Sequence, residues 1–162
     1  MKFDLLFVHM PVPHPPWIYN RSTREVTAAE ASGYLGNLAL ADIALGRLRK
    51  RLEETGAWDR TSIVISSDHW WRSDYWRDRI PQTADQPVQA EKVDHRVPFI
   101  IRLAGQKKML TYDSPFNTVL TRGLIREVLS GKISQPDDVA MWLEAHRTIG
   151  ESPYQSYEDA AQ

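Results

Sequence analysis

The chain has 162 residues, 20 Lys and Arg against 21 Asp and Glu, and a net charge of −1. That length suits one domain with a real core, and the balanced charge offers no bulk field for nucleic acid or an anionic membrane surface. Cysteine is absent, which excludes disulfides, thiolate metal sites and cysteine nucleophiles, and no apolar run reaches the roughly 18 residues of a membrane span.

Phe3 to Met10, "FDLLFVHM", is a short apolar run that stops at Pro11 and reads as a buried strand. "PVPHPPW" (11–17) follows, and its four prolines forbid helix and hold the segment extended. Residues 18–26 read as a polar loop. Thr27, with Glu30 three residues on, has capping-box spacing. From there to Glu54 the pattern is helical, with Tyr34, Leu38, Ala41, Leu45, Leu48 and Leu52 recurring in steps of three and four. Leu40, Ile43 and Ala44 add apolar surface on the other face of the first half. Arg47, Arg49, Lys50, Arg51 and Glu53 mark the second half as solvated.

Gly56 fits a helix stop. Thr61 to Ser66 reads as a second strand and Val97 to Leu103 as a third, with helices at Phe116–Leu129 and Asp137–Arg147. Between those strands, residues 70–96 lack periodicity and are rich in Trp, Arg, Asp and Gln. Such stretches inside a domain are functional loops or lids. The last dozen residues are polar and predict a flexible tail, leaving 1–150 as the domain. Strands alternating with helices argue an α/β fold.

Four of the five histidines, His9, His14, His69 and His95, sit at or near predicted strand ends. Successive side chains of a strand point to opposite faces, so an Asp-His pair inside a strand cannot share a ligand. At a strand's carboxyl end the chain turns, and Asp68 and His69 can both face a crevice, offering an oxygen and an imidazole nitrogen to a divalent ion. The competing reading is a turn-forming Asp beside a surface His. The prolines put His14 on a stiff arm suited to holding an imidazole against an anionic substrate, or they simply carry a loop across the surface. Arg96, beside His95, has the fork geometry for a phosphate or sulfate, though an arginine there is also commonly just solvated.

Taken in order, these residues resemble the sulfatase-like branch of the alkaline phosphatase superfamily. "FVHMPVPHPPW" is similar to the segment whose second histidine contacts the substrate group. "YLGNLALADIALGRL" is similar to the family's long helix, with Tyr34, Asp42 and Gly46 in place. "WDRTSIVISSDH" resembles the strand that delivers an Asp-His metal pair, and "HRVPFIIRLAG" the strand after the variable substrate loop. The match covers residues 3 to 103 well.

The resemblance implies an alkaline phosphatase-like three-layer α/β sandwich whose C-terminal portion has a mixed or mostly parallel sheet. It implies Asp68 and His69 as ligands of a divalent ion, calcium, manganese, magnesium or zinc. His14 and His95 become catalytic or substrate contacts, and Trp70, Trp71, Trp76, Arg72 and Arg96 face the substrate. That substrate is a sulfated or phosphorylated small molecule, glycan or lipid headgroup. Transfer of a phospho-headgroup, or non-catalytic glycan or anion binding, are the alternative activities. Where the family has Gly after the Asp-His pair, Trp70-Trp71-Arg72 stand here and predict a bulkier pocket wall. The family's first half, with its nucleophile and acidic metal ligands, has no counterpart in these residues. The chain is therefore expected to be a C-terminal part that lacks activity alone and self-associates through an unpaired sheet edge. Family members of this kind work in the periplasm, outside the cell or at a membrane's outer face.

Overall fold

The structure, a computed structural model, describes residues 4–27, 33–70, 72 and 95–147. Two units make up the chain: Met1–Trp58 with Val64–Ile101, and Asp59–Ile63 with Arg102–Gln162.

In the first unit, residues 18–26 form a hairpin where the sequence predicts loop. Strand β1 (Tyr19–Asn20) pairs antiparallel with β2 (Glu25–Val26), Tyr19 opposite Val26 and Asn20 opposite Glu25. Asn20 makes the turn. Its side-chain oxygen accepts from the Ser22 and Thr23 amides at 2.9 and 3.2 Å, and its carbonyl accepts from Arg24 N at 2.8 Å. Arg24 takes the left-handed backbone at φ 60°, a region that non-glycine residues seldom enter. Thr27 N donates to Ile18 O at 2.7 Å, so Thr27 extends the hairpin, and its expected capping partner Glu30 lies outside the described residues.

Helix α1 (Gly33–Glu54) packs against β1. Its buried residues, Gly33, Gly36 and Asn37, have the i, i+3, i+4 spacing of one helix face. The predicted leucine stripe is only partly covered, since Leu38 and Leu48 are exposed. The second half is solvated as expected, with Arg49 Nε bonded to Glu53 Oε1 at 2.8 Å. Exposed pairs of this kind contribute only a few tenths of a kcal/mol. Gly56, at φ 65°, ends the helix. Its amide donates to Glu53 O and that of Ala57 to Leu52 O, the paired bonds of a Schellman motif.

Strand β3 (Ile63–Ser66) pairs with β4 (Phe99–Arg102), each shorter than its predicted run. The remaining expected strand is corrected. Residues 4–10 form no strand and are exposed, with Leu6 at 71% and Phe7 at 85% of full exposure. An apolar sequence makes a buried strand only where neighbours pair with its backbone and cover its faces. Among the described residues, the two sheets are β1–β2 and β3–β4, and neither takes this segment in.

The second unit is tied locally by Arg102, whose Nη1 donates to Thr61 O at 2.8 Å, and by Ala104 N donating to Ser62 Oγ at 2.9 Å. Helix α2 (Thr121–Leu129) follows a 3-10 turn at Thr118–Leu120, where the Asn117 side chain accepts from Val119 N at 3.0 Å. Helix α3 (Pro136–His146) begins with proline at its first position and a capping box between Gln135 and Asp138. Leu103, Leu120, Leu124, Ile133, Val139 and Leu143 supply this unit's buried apolar side chains. Full burial of one such side chain stabilises by about 1.5–3 kcal/mol. No helix among the described residues is long and apolar enough to cross a membrane. The tail expected at 151–162 lies outside the described residues.

Candidate functional site

Strand β3 ends at Ser66 and the chain bends at Asp68 and His69. Ser67 Oγ donates to His69 O at 2.7 Å and holds the bend. Asp68 is exposed and His69 half-buried. His69 Nδ1 lies 2.6 Å from Trp70 O. A carbonyl oxygen only accepts, so Nδ1 is the nitrogen that carries hydrogen in this contact, which leaves Nε2 as the ring atom available to a metal. A backbone carbonyl that takes one ring N–H is the usual way in which a metal-binding histidine has its tautomer and orientation set.

The donor set suits a divalent ion in kind, with a hard carboxylate oxygen and an imidazole nitrogen. It is small in number. Among the described residues, no group of three or more His, Asp or Glu comes together to hold a metal.

His14 stands exposed on the proline arm, its Nδ1 donating to Pro15 O at 2.7 Å. The arm is anchored by Asn37, which is fully buried in α1. Asn37 Nδ2 donates to His14 O at 2.9 Å and to Pro16 O at 3.1 Å, while its Oδ1 accepts from Ile18 N at 3.0 Å. Trp17, within this arm, is 1% exposed, and its indole nitrogen is buried without a partner among the described residues.

At the ends of the long loop, the Trp70 and His95 rings lie 4.4 Å apart between centroids, tilted by 50°. The Arg72 guanidinium stands 5.3 Å from the Trp70 ring centroid, within cation–π range. Three of the expected substrate-facing residues thus meet on one ring. Arg96 is exposed. Trp71 and Trp76 lie outside the described residues. His9 is exposed. The second unit has a separate cavity of about 410 Å³, lined by Lys107, Lys108, Gln135 and Asp137 among others, which contains none of the expected site residues.

Asn37 was not among the residues expected to matter. Its partners are backbone groups 19 to 23 residues away, which no local pattern marks.

No curated protein and no solved structure matches the chain. The family model for Sulfatase matches residues 2–135, a span that takes in the proline arm, the Asp68-His69 bend and both ends of the long loop. Its members share an α/β fold and act as hydrolases on sulfated substrates with a divalent metal ion. With most of its length matched in this way, the chain belongs to the sulfatase family.

Proposed function

We propose that this chain carries part of a metal-dependent site for the hydrolysis of sulfate or phosphate esters, and that Asp68 and His69 are its metal ligands. The observation that carries the reading is the 2.6 Å contact of His69 Nδ1 with Trp70 O. The hydrogen bond from Nδ1 to Trp70 O leaves the Nε2 lone pair as the ring's donor to a metal, next in sequence to a carboxylate at a strand end. A divalent ion bound there, whether calcium, manganese, magnesium or zinc, supplies Lewis-acid polarisation of the ester oxygen.

The chain's own residues do the rest. His14, with Nδ1 engaged by Pro15 O, turns to the substrate through Nε2. From there it hydrogen-bonds or protonates the departing oxygen. His95 contacts the transferred group, and Arg96 and Arg72 offer guanidinium forks to its oxygens. None of these residues is the nucleophile, and we assign that role to no residue of this chain. Activity is expected to need a segment that supplies it. The fold proposed for the assembled domain is the three-layer sandwich with a mixed or mostly parallel sheet.

A second reading draws on the contact of Arg72 with the Trp70 ring. An arginine lying on an aromatic ring gives a site that recognises an anionic glycan or headgroup without chemistry. Headgroup transfer uses the same residues as hydrolysis and differs only in the acceptor. Mn²⁺ distinguishes the binding reading from the two metal-dependent ones. In an NMR titration, metal ligation broadens the Asp68 and His69 signals first, whereas a metal-free binding module shows no localised broadening.

A further inference from the structure

We propose that Asn37 is the positioning residue that fixes His14. The inference rests on the substrate role proposed above for His14 and adds the element that sets its place.

The argument begins with a buried amide. Asn37 follows Gly33 and Gly36 on the buried face near the start of α1 and is fully shielded from water. A buried side-chain amide is tolerated where its hydrogen bonds are met. Here both Nδ2 hydrogens and one Oδ1 lone pair are used, all on the backbone of residues 14 to 18. The pattern also fixes which way the amide points. Exchanging its O and N would set oxygen against two carbonyl oxygens and NH₂ against an amide N–H. The donors fall on His14 O and Pro16 O, on either side of the Pro15 carbonyl that takes the His14 ring proton.

The arm needs this. Prolines at 11, 13, 15 and 16 have no N–H, so the segment cannot be tied down by a sheet ladder. With four of its seven amide hydrogens missing, most of its backbone handles are carbonyls, and Asn37 takes two of them. The glycines at 33 and 36 leave the face without bulk beside Asn37. His14 is thereby held from the helix, although its ring stands in solvent.

The test compares Asn37→Asp with Asn37→Ala in the purified chain. Asp keeps the shape and the acceptor for Ile18 N–H but removes both donors and turns a carboxylate toward two carbonyls. Ala removes everything. Amide exchange is read at Ile18, ¹³C relaxation at the His14 ring, and the His14 ring shift during titration with inorganic sulfate.

The expected result is that Asp preserves protection at Ile18 while loosening the His14 ring, and Ala loses both. In the Asp variant, sulfate binds about tenfold more weakly, the scale expected when a contacting group loses its orientation. The ratio of wild-type to variant affinity shrinks as the pH is lowered and the acid regains one donor, since any dependence that comes from His14 itself is shared by both proteins. Loosening of Ile18 and His14 together in both variants would mean that Asn37 only supports the fold, and would overturn the proposal. So would an unchanged His14 ring with unchanged sulfate binding. If sulfate leaves His14 of the wild type unmoved, the substrate role of His14 fails first, and the positioning role falls with it.

Discussion

Trp70 and His95, 25 positions apart in sequence, lie with their ring centroids 4.4 Å apart. The contact joins the two ends of the long loop that the sequence marks as its least regular segment. The Arg72 guanidinium contacts the same Trp70 ring. Trp70 thus packs on neighbouring side chains of this segment, where the resemblance implied a residue facing the substrate. Aromatic pairs of this geometry contribute about 0.5–1.5 kcal/mol beyond area burial. The His95 ring protons are expected to resonate upfield in the wild type and to return to ordinary positions in Trp70→Ala, as read by NMR of the histidine ring signals. Unchanged His95 shifts in the variant would show that the rings do not meet in solution.

The exposed run Leu5-Leu6-Phe7-Val8 has strand composition, no Pro and no charge. Such segments pair with other chains when left uncovered. Sedimentation velocity is expected to show association that grows with protein concentration. Leu6→Lys, which puts a charge on the run, should shift the distribution toward monomer. Equal association of the two proteins would place the contact elsewhere.

Leu124 is completely buried in α2. Leu124→Ala should lower stability by about 3 kcal/mol, the middle of the range for buried leucine truncation. Urea unfolding checks this through a lower midpoint at unchanged slope. A loss under about 1 kcal/mol would mean that the second unit's apolar side chains are loosely packed.

The Asp138 carboxylate accepts from the Ser134 and Gln135 amides, and these bonds hold its pKa below the ordinary carboxylate value. A pKa depressed on folding gives stability that is present above the unfolded value and lost as pH falls through the folded one. The start of α3 is therefore expected to be intact at neutral pH and to fray in acid. Amide exchange at Ser134 and Gln135 follows it, and Asp138→Asn should exchange faster than the wild type at neutral pH. A cap whose exchange rates, corrected for intrinsic pH dependence, stay constant through the acid range would contradict this.

Much of the architecture was legible because local chemistry determined it. Gly56 marks the end of α1 with a left-handed residue, and Pro136 marks the start of α3. The aliphatic runs at β3 and β4 read as strands and are strands, though shorter. The hairpin was not legible, because its turn carries no Asn-Gly or Asp-Gly signal. It relies on an Asn20 side chain bonded to its own backbone and on an arginine in the left-handed region. The first strand failed for a different reason. Composition gives Phe3 to Met10 the propensity for a strand, but burial depends on partners that no local pattern specifies. In the candidate site, Asp68, His69, His14 and His95 stood out by residue type and by their positions near expected strand ends, although the strand expected before His14 does not form. Asn37 did not, since a single amide on a helix face gives no sign of backbone groups some twenty residues away.

The central claim is that Asp68 and His69 hold a divalent ion, and calorimetric titration of the purified chain with Ca²⁺, Mn²⁺ and Zn²⁺ in turn tests it most directly. The account predicts saturable binding of at least one of these ions at micromolar affinity or better, abolished in the Asp68→Ala/His69→Ala double variant with the fold intact. Binding of equal strength in the double variant, or none to the well-folded wild type, would contradict it.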